Sequence, residues 1–246
     1  MPLYTTKQVQ TLVLVHSKIN DLKEEIDTII SSNKDFPILD SVNHSLDLAE
    51  RSISRPMASY ADQKIVGKWA INQMGIGPVF AAGLLSHIDV QKSRTVGDLW
   101  RYAGLDPSDK TSKTNINSDL KSLCWKIGTN FAKYSSKSDC FYGHLYLQDR
   151  TRRLDNNENG LYSAKASSIL QNLDSRYESD RHILSQGKLS VNQIEAQARR
   201  FAVKIFLSHY YAVAYHEIFD SPADRPTTIS INGTKQEIQI PDYPFS

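Results

Sequence analysis

The amino-acid sequence predicts a mainly α-helical fold that ends in a small β-hairpin. Apolar residues recur in alternating three- and four-residue steps from Leu12 to Ile29, as they do in a helix that packs along one stripe. Ser190 and Gln193 have the spacing of a capping box, and they begin the longest predicted helix, which runs to about Phe219. Apolar and polar residues alternate on either side of Asn232-Gly233, and this pattern predicts two short strands joined by a tight turn.

The composition excludes several classes of protein. The chain has 246 residues, a formal net charge of +2 and two cysteines, Cys124 and Cys140, so neither a disulfide framework nor a zinc site is expected. No apolar run approaches the roughly 18 residues that span a bilayer, and the first residues do not resemble a signal peptide. We therefore expect a soluble, cytoplasmic protein without a metal or cofactor, whose positive charge must cluster if it binds nucleic acid.

The chain divides into three predicted regions: a helical coiled coil or hairpin (1–55), a helical domain (56–222) and a β-hairpin tail (223–246). The apolar stripe of the first region consists of Leu12, Val15, Ile19, Leu22, Ile26 and Ile29. This stripe either folds back on the apolar residues between 38 and 49 or pairs with a second copy, which gives a homodimer through residues 12–29. We favour folding back and keep dimerisation as the alternative.

The helical domain is predicted to begin after a break at Ser54-Arg55-Pro56. Thr95 is a predicted N-cap with Asp98 in the first turn behind it, and Gly104 is the expected residue just beyond the end of that helix. A mobile polar stretch with a basic start is expected at 150–160. The predicted helices of this domain span Ala61–Met74, Val96–Ala103, Asp119–Tyr134, Phe141–Asp149, Leu161–Tyr177 and the long helix after Ser190.

Gly75-Ile76-Gly77-Pro78 is the most informative local pattern. Two glycines permit a tight turn with positive φ and bare backbone N–H groups, and Pro78 suits the first position of a following helix. The amides and the positive dipole end of that helix would face an anion, while Ile76 inserts between the two helices. Lys64 and Lys68, one turn apart on the preceding helix, add positive charge if they face the same way. We interpret the pattern as a helix-hairpin-helix that grips a phosphate; a corner used only for packing is the alternative.

Further cationic residues extend the predicted phosphate contacts. Lys110, Lys113 and Lys121 lie in or beside a polar loop rich in Ser, Thr and Asn, which are common donors to phosphate oxygens. Arg199, Arg200 and Lys204 form a second basic patch on the long helix, with a solvated face as the alternative interpretation.

Aromatic and histidine residues are assigned to the core. The aromatic residues Trp100, Tyr102, Trp125, Tyr142 and Tyr146 lie on amphipathic helices, which favours core packing over stacking on exposed bases. His209 and His216 are two helical turns apart, about 10 Å, so core packing is favoured over a shared metal ion.

The segment from Met74 to Leu85, followed by Leu99-Trp100-Arg101-Tyr102-Ala103-Gly104-Leu105-Asp106-Pro107, resembles a known family. It is similar to the C-terminal domain of the insertion-sequence transposases that combine a RuvC-like nuclease domain with a helix-hairpin-helix domain, the bridge-RNA-guided recombinases. Weaker similarity around 117–121 and 198–215 extends the resemblance over about residues 60–220. The sequence is more similar still to phage-encoded relatives that keep this domain and end in a Pro-rich hairpin tail. The resemblance implies a helical domain that acts on DNA, with an upstream coiled coil.

Two departures separate this sequence from a complete transposase. Family members carry four acidic metal ligands in a RuvC-like domain ahead of the coiled coil, whereas about ten residues precede the apolar stripe here. The family's catalytic serine follows the Ala-Gly-Leu-x-Pro segment, and Ser112 stands near that place. Lys113 follows Ser112 where glycine is usual, and Ile116 stands where another glycine is expected.

These observations predict non-sequence-specific binding of duplex or branched DNA through its phosphates, in recombination or genome processing, with DNA favoured over RNA. An enzymatic alternative makes Ser112 a strand-transfer nucleophile that a separate RuvC-like partner chain completes. A third alternative is a dimeric scaffold that keeps the fold without binding nucleic acid.

Overall fold

A computed structural model describes residues 4–32, 37–93, 95–106, 116–172, 175–223, 228–231 and 234–245. The predicted mainly α-helical fold is confirmed. None of the described helices is long and apolar enough to cross a membrane.

The helices and strands follow one another in a simple order. The helices are α1 (Thr6–Ser32), α2 (Pro37–Ala61), α3 (Ile65–Asn72), α4 (Pro78–His87), α5 (Val96–Tyr102), α6 (Ser118–Lys133), α7 (Phe141–Glu158), α8 (Ser163–Gln171), a 3-10 helix (Ser175–Asp180), α9 (Arg181–Ser185) and α10 (Val191–Phe219). Strands β1 (Thr228–Ile231) and β2 (Thr234–Glu237) pair antiparallel, with Thr228 opposite Glu237. The Asn232-Gly233 turn that was predicted between them lies outside the described residues.

Helices α1 and α2 lie side by side. His16 pairs with Glu50 at 3.3 Å, and Lys23 contacts both Asp47 at 2.5 Å and Glu50 at 2.8 Å. Asn43, earlier on α2, donates to Asp27, later on α1, over 2.7 Å. Because the pairs run in opposite order along the two helices, the helices are antiparallel.

The end of α2 differs from the prediction. A break was expected at Ser54-Arg55-Pro56, but α2 runs through Pro56 and ends only at Ala61. Proline inside a helix removes one hydrogen bond and crowds the preceding turn. Met57 and Ala61 are both fully buried in the core behind Pro56, so their packing holds the helix together across that defect.

Aromatic residues of α10 and its neighbours fill the centre of the core. Phe206 of α10 stacks on Trp69 of α3 with ring centres 5.8 Å apart. Phe206 also packs edge-to-face with Phe131 of α6 and Tyr142 of α7, with ring centres 5.6 and 5.1 Å apart. Burial of these large rings contributes most of what fixes α3, α6 and α7 around α10.

The C-terminal tail covers one side of α10. His209 is fully buried, and its Nε2 lies 3.2 Å from the carbonyl oxygen of Ile238. Further along, the Tyr243 hydroxyl lies 2.7 Å from His216 Nδ1, and Phe245 stacks on the His216 ring at 4.1 Å. Both histidines therefore pack as the sequence predicted, and they anchor the tail.

The predicted mobile stretch at 150–160 is wrong for most of its length, because α7 continues to Glu158. Two arginines, Arg152 and Arg153, pair with Asp149, which is only 3% exposed. The end of α7 is tied to the start of α10 by Asn157, whose side chain bonds both backbone groups of Leu189. The arginines of this stretch thus form ion pairs within α7 and with Glu195 of α10, and they are not part of a loop.

Capping residues set the starts of two helices as predicted. Thr95 and Asp98 form a capping box at α5, and Ser190 and Gln193 form one at α10. Gly104 follows α5 with φ +66°, a conformation that favours glycine.

Candidate nucleic-acid interface

Helices α3 and α4 are joined by the Gly75-Ile76-Gly77 turn. Gly75 has φ +93°, which L side chains rarely adopt, and its carbonyl accepts a 3.0 Å hydrogen bond from Asn130 Nδ2 of α6. Ile76 is only 4% exposed. It therefore anchors the turn in the core, and its side chain is not available as a contact to nucleic acid.

Gly77 is the residue of this turn that has free space around it. It is the N-cap of α4, no side chain caps the helix, and Pro78 follows in the first turn. A Cβ atom added at Gly77 would meet nothing within 4 Å. The first amides of a helix lack intrahelical acceptors, so those of Val79 and Phe80 are the donors that this turn can offer to an anion.

The cations predicted beside this turn lie elsewhere. Lys64 immediately precedes α3 and lines a cleft with His87, the last residue of α4, so it lies at the far end of both helices from Gly77. Lys68 is one turn into α3 and lies 4.0 Å from Asp62. The structure therefore does not bring Lys64 to the glycine turn.

Lys133 is a cation that the structure places near the turn. Its Nζ is 5.7 Å from the ring centre of Tyr134, whose ring lies against Gly75. Lys133 is exposed on the last turn of α6. Nothing in the sequence joins residues 75 and 133, so sequence reasoning missed it.

A larger concentration of positive charge lies along α10. Arg200 is exposed and Arg199 half-buried, and neither forms an ion pair within the part of the chain that the structure describes. Lys204, one turn beyond Arg200, covers the Trp100 ring with its Nζ 4.4 Å from the ring centre. The predicted patch of Arg199, Arg200 and Lys204 therefore lies on α10, with Lys204 against Trp100.

Arg153 of α7 and Lys165 of α8 join this surface through one shared acceptor. The Gln197 Oε1 atom accepts from Arg153 Nη1 over 2.9 Å and from Lys165 Nζ over 3.2 Å. The two donor nitrogens are therefore no more than about 6 Å apart by the triangle inequality. We call the set Arg153, Lys165, Arg199, Arg200 and Lys204 the α10 basic surface.

Crowding of like charges is visible in the two lysines of the α10 basic surface. Burial lowers the pKa of Lys165, and the charges of Arg153 and Arg200 lower it further. The pKa of Lys204 is also lowered, mainly by burial and in part by Arg200, although Asp106 opposes this effect. An anion bound here would relieve the repulsion, which is the electrostatic condition for a phosphate site.

Lys121 extends the charge onto α6. It is exposed, its aliphatic chain lies against Gly104, and no described residue forms an ion pair with it. The other members of the predicted loop site, Lys110 and Lys113, lie outside the described residues, as does Ser112.

The aromatic residues divide into two groups. Tyr142 and Tyr146 are buried, and Trp100 is half-buried with its Nε1 donating to the Lys204 carbonyl over 3.1 Å. Trp125, by contrast, is 64% exposed on α6. Core packing, the predicted role of these rings, is wrong for Trp125.

No family profile, curated protein or solved structure matches this chain.

Proposed function

We propose that this protein binds the sugar–phosphate backbone of DNA without reading base sequence. The observation that carries the proposal is the shared acceptor of the α10 basic surface, where Gln197 holds Arg153 and Lys165 within about 6 Å of each other by the geometry of its two bonds. Paired donors no farther apart than this can bind the oxygens of one phosphate, and contacts to phosphates do not read base sequence.

The glycine turn supports a second backbone contact. Open amides at the start of α4 and the exposed Lys133 supply hydrogen bonds and charge for one further phosphate. This arrangement is the helix-hairpin-helix part of the proposal, with Lys133 in the role that Lys64 was expected to fill. DNA is proposed ahead of RNA because the segment 74–107 resembles a domain that acts on DNA.

Charge reversal tests this function. Lys165→Glu and Arg200→Glu should each weaken binding of a labelled duplex about tenfold or more, since each removes a phosphate contact and adds repulsion. Arg51→Glu, which makes the same charge change at an exposed residue of α2, is the matched control and should bind normally. Equal affinities for all four proteins would contradict the proposal.

The same binding assay, combined with a test for covalent protein–DNA adducts, separates the Ser112 alternative from simple binding. Under the binding proposal, Ser112→Ala leaves affinity unchanged, and the wild-type protein forms no covalent adduct with DNA. A covalent adduct that disappears in Ser112→Ala would establish the strand-transfer chemistry instead.

We also propose that α1 mediates a homodimer. The apolar stripe divides into two rows: Leu12, Ile19 and Ile26 pack inward, while Val15, Leu22 and Ile29 are exposed and seven residues apart. That spacing is the repeat of a coiled-coil seam. If two copies align antiparallel about Leu22, each Lys18 comes opposite Glu25 of the other copy, so the flanking charges are complementary.

Light scattering tests the dimer. Leu22→Glu should give a monomer, because it places a charge at the centre of the seam. Leu14→Glu, at an exposed leucine of α1 outside the row, should remain dimeric. Monomeric wild-type protein at concentrations of tens of micromolar would contradict this part of the proposal.

A further inference from the structure

Trp125 is unusual among the tryptophans of this protein. Trp69 is buried against Phe206 and donates to the Pro241 carbonyl over 2.8 Å, and Trp100 is covered by Lys204. Trp125 is 64% exposed, and in the described parts of the chain no ring stacks on it. Keeping an indole of this size in water costs free energy, which a ligand that covers the ring would recover.

Cations flank Trp125 on both sides along α6. Lys121 lies one turn before it, on the same helical face. Gly128 lies one turn after it, and there α10 approaches so closely that a Cβ on Gly128 would be 3.3 Å from Arg199 Cβ. Trp125 therefore lies on α6 between Lys121 and the point where Arg199 of the α10 basic surface packs against this helix.

This combination fits an unpaired base better than a duplex. Aromatic side chains stack on bases whose faces are open, while neighbouring cations hold the phosphates on either side of the base. In a duplex the base faces are covered by their neighbours, so stacking on them would first require the bases to be unstacked. The residues next to Trp125 on its exposed face are polar, Lys121 and Thr129, so the surroundings lack the apolar area of a protein interface.

We propose that Trp125 is a stacking platform for an unpaired base, and that the DNA bound by the α10 basic surface includes a single-stranded segment. The inference rests on the proposed function, and it narrows the substrate to single-stranded DNA or to the unpaired part of a branched DNA. Phosphate contacts alone would not distinguish these forms from a duplex.

The experiment compares two labelled oligonucleotides, a 20-mer of deoxythymidine and a 20-base-pair duplex, by fluorescence anisotropy with the full chain. Trp125→Ala should weaken binding of the single strand about 5- to 100-fold and leave the duplex within about twofold, since stacking is lost and the charges remain. Trp125→Phe keeps a ring and should retain most of the affinity. Leu161→Ala, at another strongly exposed apolar residue, is the control and should bind both oligonucleotides normally.

Intrinsic fluorescence gives an independent readout. Stacking should quench the emission of the wild-type protein when unlabelled single strand is added, and Trp125→Phe should lose most of that quenching because Trp69 and Trp100 are covered.

Three outcomes would overturn the inference in different ways. If Trp125→Ala binds the single strand normally while Lys165→Glu does not, the platform is wrong and the proposed function stands. If Trp125→Ala weakens both ligands equally, the preference for unpaired bases is wrong. If neither ligand binds to the wild-type protein, the proposed function fails with it.

Discussion

Arg153 and Lys165 donate to the same oxygen atom, Gln197 Oε1, although they come from different helices. Two cations held this close repel each other; the neutral amide oxygen offsets this repulsion only in part, and Asp149 also pairs with Arg153. The arrangement exists in the free protein, and an anion bound beside it would stabilise it further. It is the centre of the α10 basic surface.

Replacing the shared acceptor with a carboxylate should lower the affinity for DNA without lowering the stability of the protein. Gln197→Glu keeps the shape of the side chain and lets it pair with both cations, so we expect unchanged or slightly higher stability, by up to about 1 kcal/mol. The same carboxylate competes with phosphate, so affinity for DNA should fall about tenfold. Thermal unfolding measures the stability of the variant, and fluorescence anisotropy measures its affinity for DNA. If the variant binds DNA as tightly as the wild-type protein does, Gln197 and its partners do not take part in binding.

Two substitutions at Gly77, to Asp and to Asn, test the glycine turn, because the two side chains have nearly the same shape and differ in charge. The φ of −89° at Gly77 and the open space around it accommodate a side chain, and both Asp and Asn are good N-caps. Both variants should therefore be as stable as wild type or more stable, by about 0.5 kcal/mol. Gly77→Asp should bind DNA several-fold more weakly than Gly77→Asn, because only the former places a negative charge in the path of the phosphate. Equal binding by the two variants would mean that the turn serves packing alone.

Acid should destabilise the fold through His209. The Ile238 carbonyl can only accept, so Nε2 carries the proton, and Nδ1 accepts from the Tyr142 hydroxyl over 2.9 Å. Burial lowers the pKa of His209 to about 4. As pH falls from about 6.5 to 4, the unfolded chain takes up a proton that the folded protein refuses, so stability falls by about 3 kcal/mol.

Denaturant unfolding at several pH values measures this effect. His209→Gln can keep both hydrogen bonds but cannot titrate, so it is the reference. His16 and His87 also have lowered pKa values and destabilise both proteins alike. The difference between wild type and His209→Gln should grow across this pH window; a constant difference would contradict the assignment.

Features set by neighbouring residues could be predicted from the sequence. The capping boxes at Thr95 and Ser190 and the turn at Gly75 depend on backbone geometry within a few residues, which residue type determines directly. The break predicted at Pro56 was wrong because the burial of Met57, a tertiary effect, outweighs the local tendency of proline to break a helix.

The interface could be predicted only in part for the same reason. Arg199 and Arg200 are adjacent in the sequence and visible as a patch, whereas Arg153, Lys165 and Gln197 come together from α7, α8 and α10. Periodicity placed Trp125 on an amphipathic helix, but only the packing of α6 against its neighbours decides which side of that helix faces water.

The most direct test of backbone binding is the salt dependence of affinity for DNA. We compare the wild-type chain with a Lys165→Glu/Arg200→Glu double variant over a range of salt concentrations. We expect the logarithm of the wild-type association constant to fall linearly with the logarithm of salt concentration, with a slope of about −3 or steeper. The double variant should lose about two units of that slope. Binding by the wild-type protein that is insensitive to salt, or identical slopes for the two proteins, would contradict this expectation.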